Sequence, residues 1–317
     1  MPDLSIIIPT YNRKDQLVKL IASILISDFP KENYEIIIID DCSTDSTPEY
    51  IRKKFIDIAN LSIYTKPENK RKSNSVNLGW HKAKGRFLFF IDDDTEIAPD
   101  TISQLYAASQ NLGADYLFCP LMLYYDQPQK IWFAGLKLNF WATTGKFIYK
   151  NKQLADIITD KIETDAIITA FFVNKKIFDT IGGFNEKLFP FQFEELDFCV
   201  RAKTAGYKHF VITSAKLWHN HQTGNFINNP WRLYLEVKNR IISAKLWSQN
   251  RPQIIISHLF AMLIPISYLI LKSSLFRDHY IACIKAVING VYTGRTIAKN
   301  ITPYYKRNFN DLKKEIC

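Results

Sequence analysis

The chain has 317 residues, 47% of them hydrophobic, which is enough to build one large domain or two modest ones. Its five cysteines are scattered without a Cys-x-x-Cys spacing, which argues against a disulfide framework or a zinc cluster and favours a reducing compartment. The net charge of +10 lies in residues 226–317, which contain 14 Lys and Arg against 4 Asp and Glu. A basic segment suits nucleic acid or an anionic membrane surface. Because it contains a strongly apolar stretch and no nucleic-acid-binding motif accompanies it, we expect the membrane and no nucleic acid.

Apolar runs and helix-like periodicities alternate along the first part of the chain. Such alternation predicts an α/β protein with a doubly wound sheet. No GxGxxG or GxxxxGK[ST] motif follows any of the runs, so neither a dinucleotide-binding fold nor a P-loop is supported. The pattern predicts strands at 4–9, 34–40, 61–65, 86–91 and 114–121, and helices at 15–26, at 73–83 and from Pro99 onward.

Two of the predicted strands end in acidic residues. One runs into Asp40 and Asp41, and the apolar run FLFFI ends in Asp92, Asp93 and Asp94. In open α/β sheets ligands bind outside the carboxyl ends of the strands. Three adjacent carboxylates repel one another unless a cation binds them, and oxygen ligands of this kind suit Mg²⁺ or Mn²⁺. The alternative is a solvated acidic turn before a helix, whose first turn favours acids.

Taken together, these segments resemble the inverting family 2 glycosyltransferases, which have the GT-A fold. The resemblance rests on SIIIPTYNR, on IIIIDDCSTD, on Asn77, Gly79 and Gly85, and on FIDDDTEIAPD. It covers residues 3–245, and the segment IGGFNE…EELDFCVRA looks most like rhamnosyltransferase-type members. The resemblance implies a GT-A catalytic domain at 1–225, built on a doubly wound mixed sheet, followed by a helical C-terminal region at 226–317.

The resemblance also implies a site for a nucleotide-diphosphate sugar. Thr10 and Tyr11 would lie along the nucleotide base, and Asp41 would accept hydrogen bonds from the base or the ribose. Arg71 would approach the diphosphate, although a solvated basic loop is an equally simple reading of the run KRK. The residues expected around the donor are Pro9, Thr10, Tyr11, Asp41, Arg71, Asn77, Asp92 and Asp93.

A metal site is implied beside the donor. Asp92 and Asp94 match the DxD pair of the family, with Asp94 as the direct ligand of Mg²⁺ or Mn²⁺ and Asp93 nearer the ribose. In LWHNHQTG, His219 matches the histidine that can complete the metal shell, and His221 is the alternative.

The catalytic base is expected in the segment EELD, which enters a predicted helix. Inverting transfer needs one carboxylate to take a proton from the acceptor hydroxyl as the new bond forms. By the match to the family motif this base is Glu195, while Glu194 and Asp197 would support it or orient the acceptor. Acids at a helix N-terminus are also common for dipole reasons alone.

The C-terminal region is expected to associate with a membrane. Residues 234–247 form an amphipathic basic pattern, and residues 254–271 are 18 residues without a formal charge, a length at the margin for spanning a bilayer. We expect residues 230–300 to form helices that lie in the cytoplasmic leaflet of the cell membrane, with 254–271 as a possible transmembrane segment. The alternative is a helical hairpin packed on the catalytic domain.

These features predict an inverting, metal-dependent glycosyltransferase that uses a nucleotide-diphosphate sugar and acts on a lipid-linked or glycan acceptor of a cell-surface polysaccharide or glycoprotein glycan. Two alternatives stay open. In the first, the sugar is transferred to a polyprenyl phosphate, which is already an anion and requires no base. In the second, the chain is a catalytically silent, membrane-bound scaffold that keeps the fold.

Overall fold

The structure is a computed structural model of the chain. It describes residues 1–113, 115–220, 229–271 and 280–304.

A mixed β-sheet of ten strands forms the centre of the molecule. Along its main path the order is β10-β12-β6-β11-β4-β1-β2-β3, with β5 paired to β12 and β7 paired to β6. Strands β3, β2, β1 and β4 are parallel, whereas β11 runs antiparallel to both β4 and β6. A separate two-stranded ribbon joins β8 and β9. The strands are β1 (Leu4–Thr10), β2 (Tyr34–Asp40), β3 (Leu61–Thr65), β4 (Phe87–Ile91), β5 (Thr95–Ile97), β6 (Tyr116–Tyr124), β7 (Ile131–Phe133), β8 (Leu136–Asn139), β9 (Thr144–Phe147), β10 (Lys161–Thr164), β11 (Ala170–Asn174) and β12 (Lys208–His219).

Helices connect the strands and then continue the chain beyond the sheet. They are α1 (Lys14–Leu25), α2 (Thr47–Lys54), α3 (Arg71–Lys82), α4 (Thr101–Leu112), α5 (Lys175–Ile181), α6 (Glu194–Thr204), α7 (Pro230–Trp247), α8 (Arg251–Leu271) and α9 (Tyr280–Lys299). Strands β1, β2 and β4 are almost wholly buried, as expected for parallel strands that are covered on both faces. The aspartates of β2 and β4 lie at the carboxyl end of each strand, at its last residue or directly after it.

A glycine permits a close approach between the turn before β4 and the start of β1. A Cβ on Gly85 would lie 2.6 Å from the backbone nitrogen of Ser5 and 2.7 Å from the carbonyl carbon of Leu4. Only a residue without a side chain fits there. This contact, together with the pairing of β1 and β4, brings the ends of the two strands that carry Thr10 and Asp92 to the same edge of the sheet.

The predicted strands 34–40 and 61–65 agree with β2 and β3. The helix predicted from Pro99 begins two residues later, because the carbonyl of Pro99 accepts the amide of Asp28 and Asp100 is the N-cap. The helix predicted at 73–83 begins earlier, at Arg71. The aromatic-rich segment 124–155, which has no predicted strand, contains β7, β8 and β9.

The C-terminal helices pack closely on one another. Added Cβ atoms on Gly290 and Gly294 would lie 2.9 Å and 3.0 Å from the carbonyl oxygens of Tyr234 and Lys238, so these glycines let α9 lie directly on α7. Within the described ranges no helix combines the length and the apolar character needed to cross a membrane. The possible transmembrane segment at 254–271 is therefore not supported.

Candidate active site

The three aspartates after β4 lie at the sheet edge, and two of them, Asp93 and Asp94, are held by side chains from β1, from the loop that follows it and from β12. The hydroxyl of Thr10 donates to Asp93 over 2.7 Å. The Arg13 guanidinium donates through Nη1 to Asp93 Oδ1 (2.9 Å) and to Asp94 Oδ2 (2.6 Å). The imidazole of His219, at the end of β12, places Nε2 3.2 Å from Asp94 Oδ1. The carboxylates of Asp93 and Asp94 are thus fixed before any ligand binds.

Lys72 joins the aspartates to the acids of α6. Its ammonium lies 2.6 Å from Asp92 Oδ1, 2.8 Å from Glu195 Oε1 and 4.0 Å from Glu194 Oε1. Although burial lowers the pKa of Lys72, the charges of Asp92, Glu195 and Glu194 outweigh this effect and hold it well above its usual value. Lys72 is therefore a charged ammonium at the centre of a carboxylate cluster.

Burial and mutual repulsion alter the protonation of the acids. Burial raises the pKa of Asp92 to about 7 against the opposing charge of Lys72, and raises that of Asp93 to about 6 against the opposing charge of Arg13. Burial also raises the pKa of Glu194 to about 8. Burial alone would raise the pKa of Asp94 too, but the hydrogen bond with His219 and the charge of Arg13 hold it well below its usual range. Of these four acids, Asp94 is the most firmly anionic.

Glu195 enters the site from the first turn of α6. Its Oε1 accepts the backbone N–H of Thr169 over 2.9 Å as well as the ammonium of Lys72. Anions are favoured at a helix N-terminus because of the unpaired amides there. The residues just before the helix, Gln192 and Phe193, both have left-handed backbone conformations with φ of 63° and 69°. The chain turns sharply at this point and directs Glu195 toward Asp92.

Asp41 lies at the end of β2 and organises the loop that leads to Lys72. Its Oδ1 accepts the amide of Lys70 and its Oδ2 accepts that of Arg71, each over 2.8 Å, while the Lys66 ammonium lies 2.6 Å from Oδ1. The carboxylate expected to bind the base or ribose thus has three partners in the protein. Tyr11, expected beside the base, is exposed, and Pro9 is half-buried.

Arg71 contacts helix α7, and Asn77 contacts the segment between α5 and α6. The Arg71 guanidinium carbon lies 4.7 Å from the centre of the Trp231 ring, a cation–π contact. Asn77 is buried; its amide donates to Phe184 O over 2.9 Å and its carbonyl accepts the Phe184 amide over 2.8 Å. Asn77 therefore holds the chain that leads into the EELD segment.

Asp197 lies in the protein interior behind Glu195. It is fully buried and pairs through Oδ2 with Arg201 Nε over 2.9 Å. Arg201 also donates to the carbonyls of Ile181 and Gly183, and the Tyr304 hydroxyl donates to Asp197 Oδ1 over 2.5 Å. Asp197 thus anchors α6 to its surroundings and does not face the carboxylate cluster.

The predicted three-residue metal shell is not assembled in this arrangement. Among the described residues no group of three or more His, Cys, Asp or Glu side chains is placed to hold a metal ion. Asp94 and His219 lie together and have the donor chemistry that Mg²⁺ or Mn²⁺ requires, whereas Asp92 is paired with Lys72. His221, the alternative ligand, lies outside the described residues.

Two cations of the site, Arg13 and Lys72, were not singled out from the sequence. Arg13 belongs to the motif SIIIPTYNR, and Lys72 is the last residue of the run KRK, from which only Arg71 was selected. The basic run KRK correctly indicates the segment that contacts the acids. Which of its side chains faces them depends on the residue at which α3 begins. Arg71, with φ of 71°, begins α3, so Lys72 lies in its first turn and points at Asp92.

Comparisons with known proteins agree with this architecture. Residues 5–182 match the family model described as glycosyl transferase family 2. The poly(ribitol-phosphate) beta-N-acetylglucosaminyltransferase TarS of Staphylococcus aureus is 31% identical over 118 residues, which cover 37% of this chain and 20% of TarS. The GalNAc(5)-diNAcBac-PP-undecaprenol beta-1,3-glucosyltransferase of Campylobacter jejuni is 37% identical over 119 residues, which cover 37% of this chain and 38% of the relative. The chain thus spans well under half of the length of either relative.

Solved structures share the fold. GalNAc-T7, crystallised with UDP, GalNAc and Mn²⁺, aligns with a TM-score of 0.64 at 16% identity and covers 99% of this chain and 54% of its own. Residues 1–349 of S. aureus TarS in complex with UDP-GlcNAc align with a TM-score of 0.59 at 20% identity, covering 92% of this chain and 82% of the TarS chain. These likenesses and the mixed sheet agree with the expected GT-A fold, and the rhamnosyltransferase-like subgroup stays a prediction. Because the family model matches more than half of the sequence, the chain belongs to glycosyl transferase family 2.

Proposed function

We propose that this chain transfers a sugar from a nucleotide-diphosphate donor to an acceptor hydroxyl, with inversion at the anomeric carbon. The observation that carries the proposal is the position of Lys72, whose ammonium contacts both Asp92 (2.6 Å) and Glu195 (2.8 Å). The DxD carboxylates and the expected base therefore belong to one continuous cluster. Asp41 adjoins the same cluster, because it binds the backbone amide of Arg71, the residue before Lys72.

Glu195 would act as the general base. Its carboxylate would take the proton of the acceptor hydroxyl as the oxygen attacks the anomeric carbon from the face opposite the diphosphate. The Thr169 amide and the Lys72 ammonium hold one carboxylate oxygen, Oε1, and this fixes the orientation of the group. Glu194, whose pKa is raised to about 8 by burial, would be protonated at neutral pH and would support the acceptor as a neutral acid.

Positive charge in the site would stabilise the departing nucleotide diphosphate. Arg13 lies against Asp93 and Asp94, and Lys72 lies against Asp92; both would lie near the negative charge that develops on the leaving group. Asp94 and His219 would hold a Mg²⁺ or Mn²⁺ ion, whose chemistry here is the neutralisation of that charge. Arg71 would lie at the outer end of the diphosphate, beside Trp231.

The exposed apolar residues of α8 and α9 favour binding at the cytoplasmic face of a membrane and therefore a lipid-linked acceptor. Apolar side chains at helical spacing are exposed on both helices, among them Ile255, Leu259 and Leu263 on α8 and Ile281 and Ile288 on α9. A large exposed apolar face marks an interaction site, and the surrounding sequence carries the basic excess of the chain. The C. jejuni relative is named for a PP-undecaprenol-linked acceptor. We therefore propose peripheral binding to an anionic membrane surface, where a lipid-linked glycan is available.

The test is a panel of nucleotide sugars measured for binding and transfer. The true donor should raise the melting temperature of the chain, since a ligand that binds only the folded state stabilises it by mass action. This rise in melting temperature should require Mn²⁺ or Mg²⁺ and should be absent in the variant Asp94→Asn. The matched control is Asp156→Asn, which changes an exposed acid on another surface. Failure of every donor to stabilise the chain would favour the silent scaffold.

A further inference from the structure

Helix α7, in the C-terminal region, contacts the turn at 191–193, which leads into the acids at the start of α6. Asn239 of α7 is fully buried, and its side-chain amide nitrogen donates to the carbonyl oxygens of Phe191 (3.0 Å) and Gln192 (2.9 Å). Each donated hydrogen bond satisfies a backbone group of the turn just ahead of Glu194. One side chain from outside the sheet therefore fixes two consecutive peptide groups beside the expected base.

The turn at 191–193 needs contacts from other parts of the chain because its backbone conformation is energetically unfavourable. Gln192 and Phe193 are consecutive non-glycine residues with φ of 63° and 69°, a left-handed conformation that is unfavourable for residues with a Cβ. Among the described residues the side-chain amide of Gln192 has no hydrogen-bond partner, and Phe193 caps α6 without a side-chain hydrogen bond. The local sequence thus supplies little of the energy that holds the turn.

We infer that Asn239 is a positioning residue for Glu195, which it acts on through the 191–193 turn. Glu195 lies two residues after that turn, so a change in the backbone conformation of the turn moves the Glu195 carboxylate directly. The donor side of the site depends on other elements, since Asp92, Asp93 and Asp94 are held by residues from β1, α3 and β12. Loss of the Asn239 contacts should therefore disturb proton transfer while the donor still binds.

This inference rests on the proposed glycosyl transfer, and it predicts a division between two kinetic constants. In Asn239→Leu, kcat for sugar transfer should fall about 10- to 100-fold, because a shift of about 1 Å in a catalytic group can cost that much. The KM for the donor should stay within about 2-fold of wild type. Because Asn239 Oδ1 has no partner among the described residues, the nearly isosteric leucine removes an unsatisfied oxygen together with the two donated bonds. The carbonyl oxygens of Phe191 and Gln192 lose this donor, so the melting temperature should fall while the variant still folds.

The matched control is Ser243→Ala. Ser243 lies one turn further along α7, is equally buried, and its hydroxyl has no hydrogen-bond partner in the described part of the chain. It shares the helix and the burial of Asn239 but makes no contact of this kind with the turn. Asn239→Ala provides a second variant that also lacks the amide donors.

The kinetic assay uses the full-length chain with the donor and acceptor that wild type accepts. Loss of kcat in both Asn239 variants, with wild-type donor KM and an unaffected Ser243→Ala, supports the inference. Wild-type kcat in a folded Asn239 variant overturns it, and so does a failure of both variants to fold when Ser243→Ala folds, since that assigns Asn239 to stability alone. If wild type and Ser243→Ala show no transfer with any donor, it is the proposed function that fails.

Discussion

Replacing Lys72 by Met removes the only charge of that side chain and keeps its length and most of its apolar stem. In wild type the ammonium compensates Asp92 and Glu195 at 2.6 Å and 2.8 Å, with Glu194 at 4.0 Å. The methionine variant leaves these three acids to face one another inside the protein. We expect it to fold less stably, and the loss to depend on pH.

The size of the loss follows from the burial of the cluster. Two unit charges about 2.7 Å apart attract by about 6 kcal/mol at an effective dielectric constant of about 20, and much of this is offset by the cost of removing them from water. Removing one partner from a buried ion pair costs about 3–5 kcal/mol. Since the Lys72 side chain is still 17% exposed, we expect about 3 kcal/mol at pH 8.5.

The loss should shrink as the pH falls. The pKa of Asp92 is raised to about 7 and that of Glu194 to about 8, so in the folded state these acids bind protons that the unfolded chain has already released. Groups with raised folded pKa values stabilise the fold at low pH, and this contribution is lost as the pH rises through about 7 and 8. Without Lys72 the acids hold their protons more tightly, so at pH 5.5 the variant should lie within about 1 kcal/mol of wild type.

Urea unfolding of both proteins at pH 5.5 and pH 8.5 measures this difference. The control is Lys70→Met, the same chemical change two residues earlier, at an ammonium 52% exposed and paired with a Glu68 carboxylate 66% exposed. An exposed ion pair of this kind contributes little to stability, so Lys70→Met should unfold much as wild type does at either pH. Equal losses in the two variants, or a Lys72→Met loss that does not change with pH, would refute the buried carboxylate cluster.

Three further substitutions test other parts of the structure. Burial lowers the pKa of His209 to about 4, so stability should fall as the pH drops from about 6.5 to 4, by up to about 3 kcal/mol, and His209→Leu should remove this loss in acid unfolding curves. Arg201→Met removes the cation paired with the fully buried Asp197 carboxylate and should lower the free energy of unfolding in urea by about 3–5 kcal/mol. A decrease below about 1 kcal/mol would contradict this. Gly85→Ala places a Cβ 2.6 Å from the Ser5 nitrogen and should lower stability by about 1–3 kcal/mol; unchanged thermal unfolding would show that the backbone can yield there.

The sheet was predictable where the sequence pattern is strong. Strands β2 and β3 agree with their predicted bounds because each is an uninterrupted β-type run. The mixed order of the sheet was expected only through the family resemblance. The insertion of β11 between β4 and β6 depends on contacts between residues about 50 to 80 positions apart, such as Phe172 with Phe89 and with Phe118, and no local pattern specifies them.

The acids of the site were predictable, but their partners were not. Asp92, Asp94 and Glu195 are conspicuous because clustered acids at strand ends and helix starts follow simple rules. The cation that joins Asp92 to Glu195, Lys72, comes from a helix whose first turn begins two residues earlier than the pattern indicated. The hydrogen bond of Asn239 to the turn before Glu195 was equally hidden, because it links α7 to a residue 47 positions away in sequence.

The most direct test of the account is sugar transfer by Glu195→Gln, measured beside donor binding and beside Glu163→Gln, a control at an exposed acid of β10. We predict that Glu195→Gln binds the donor as wild type does and transfers sugar to an acceptor hydroxyl at least about 100-fold more slowly, since general-base catalysis contributes about 10²–10⁴-fold. Glu163→Gln should keep wild-type turnover. Near-wild-type transfer by Glu195→Gln would contradict the assignment of the base and favour an acceptor that is already an anion, such as a polyprenyl phosphate.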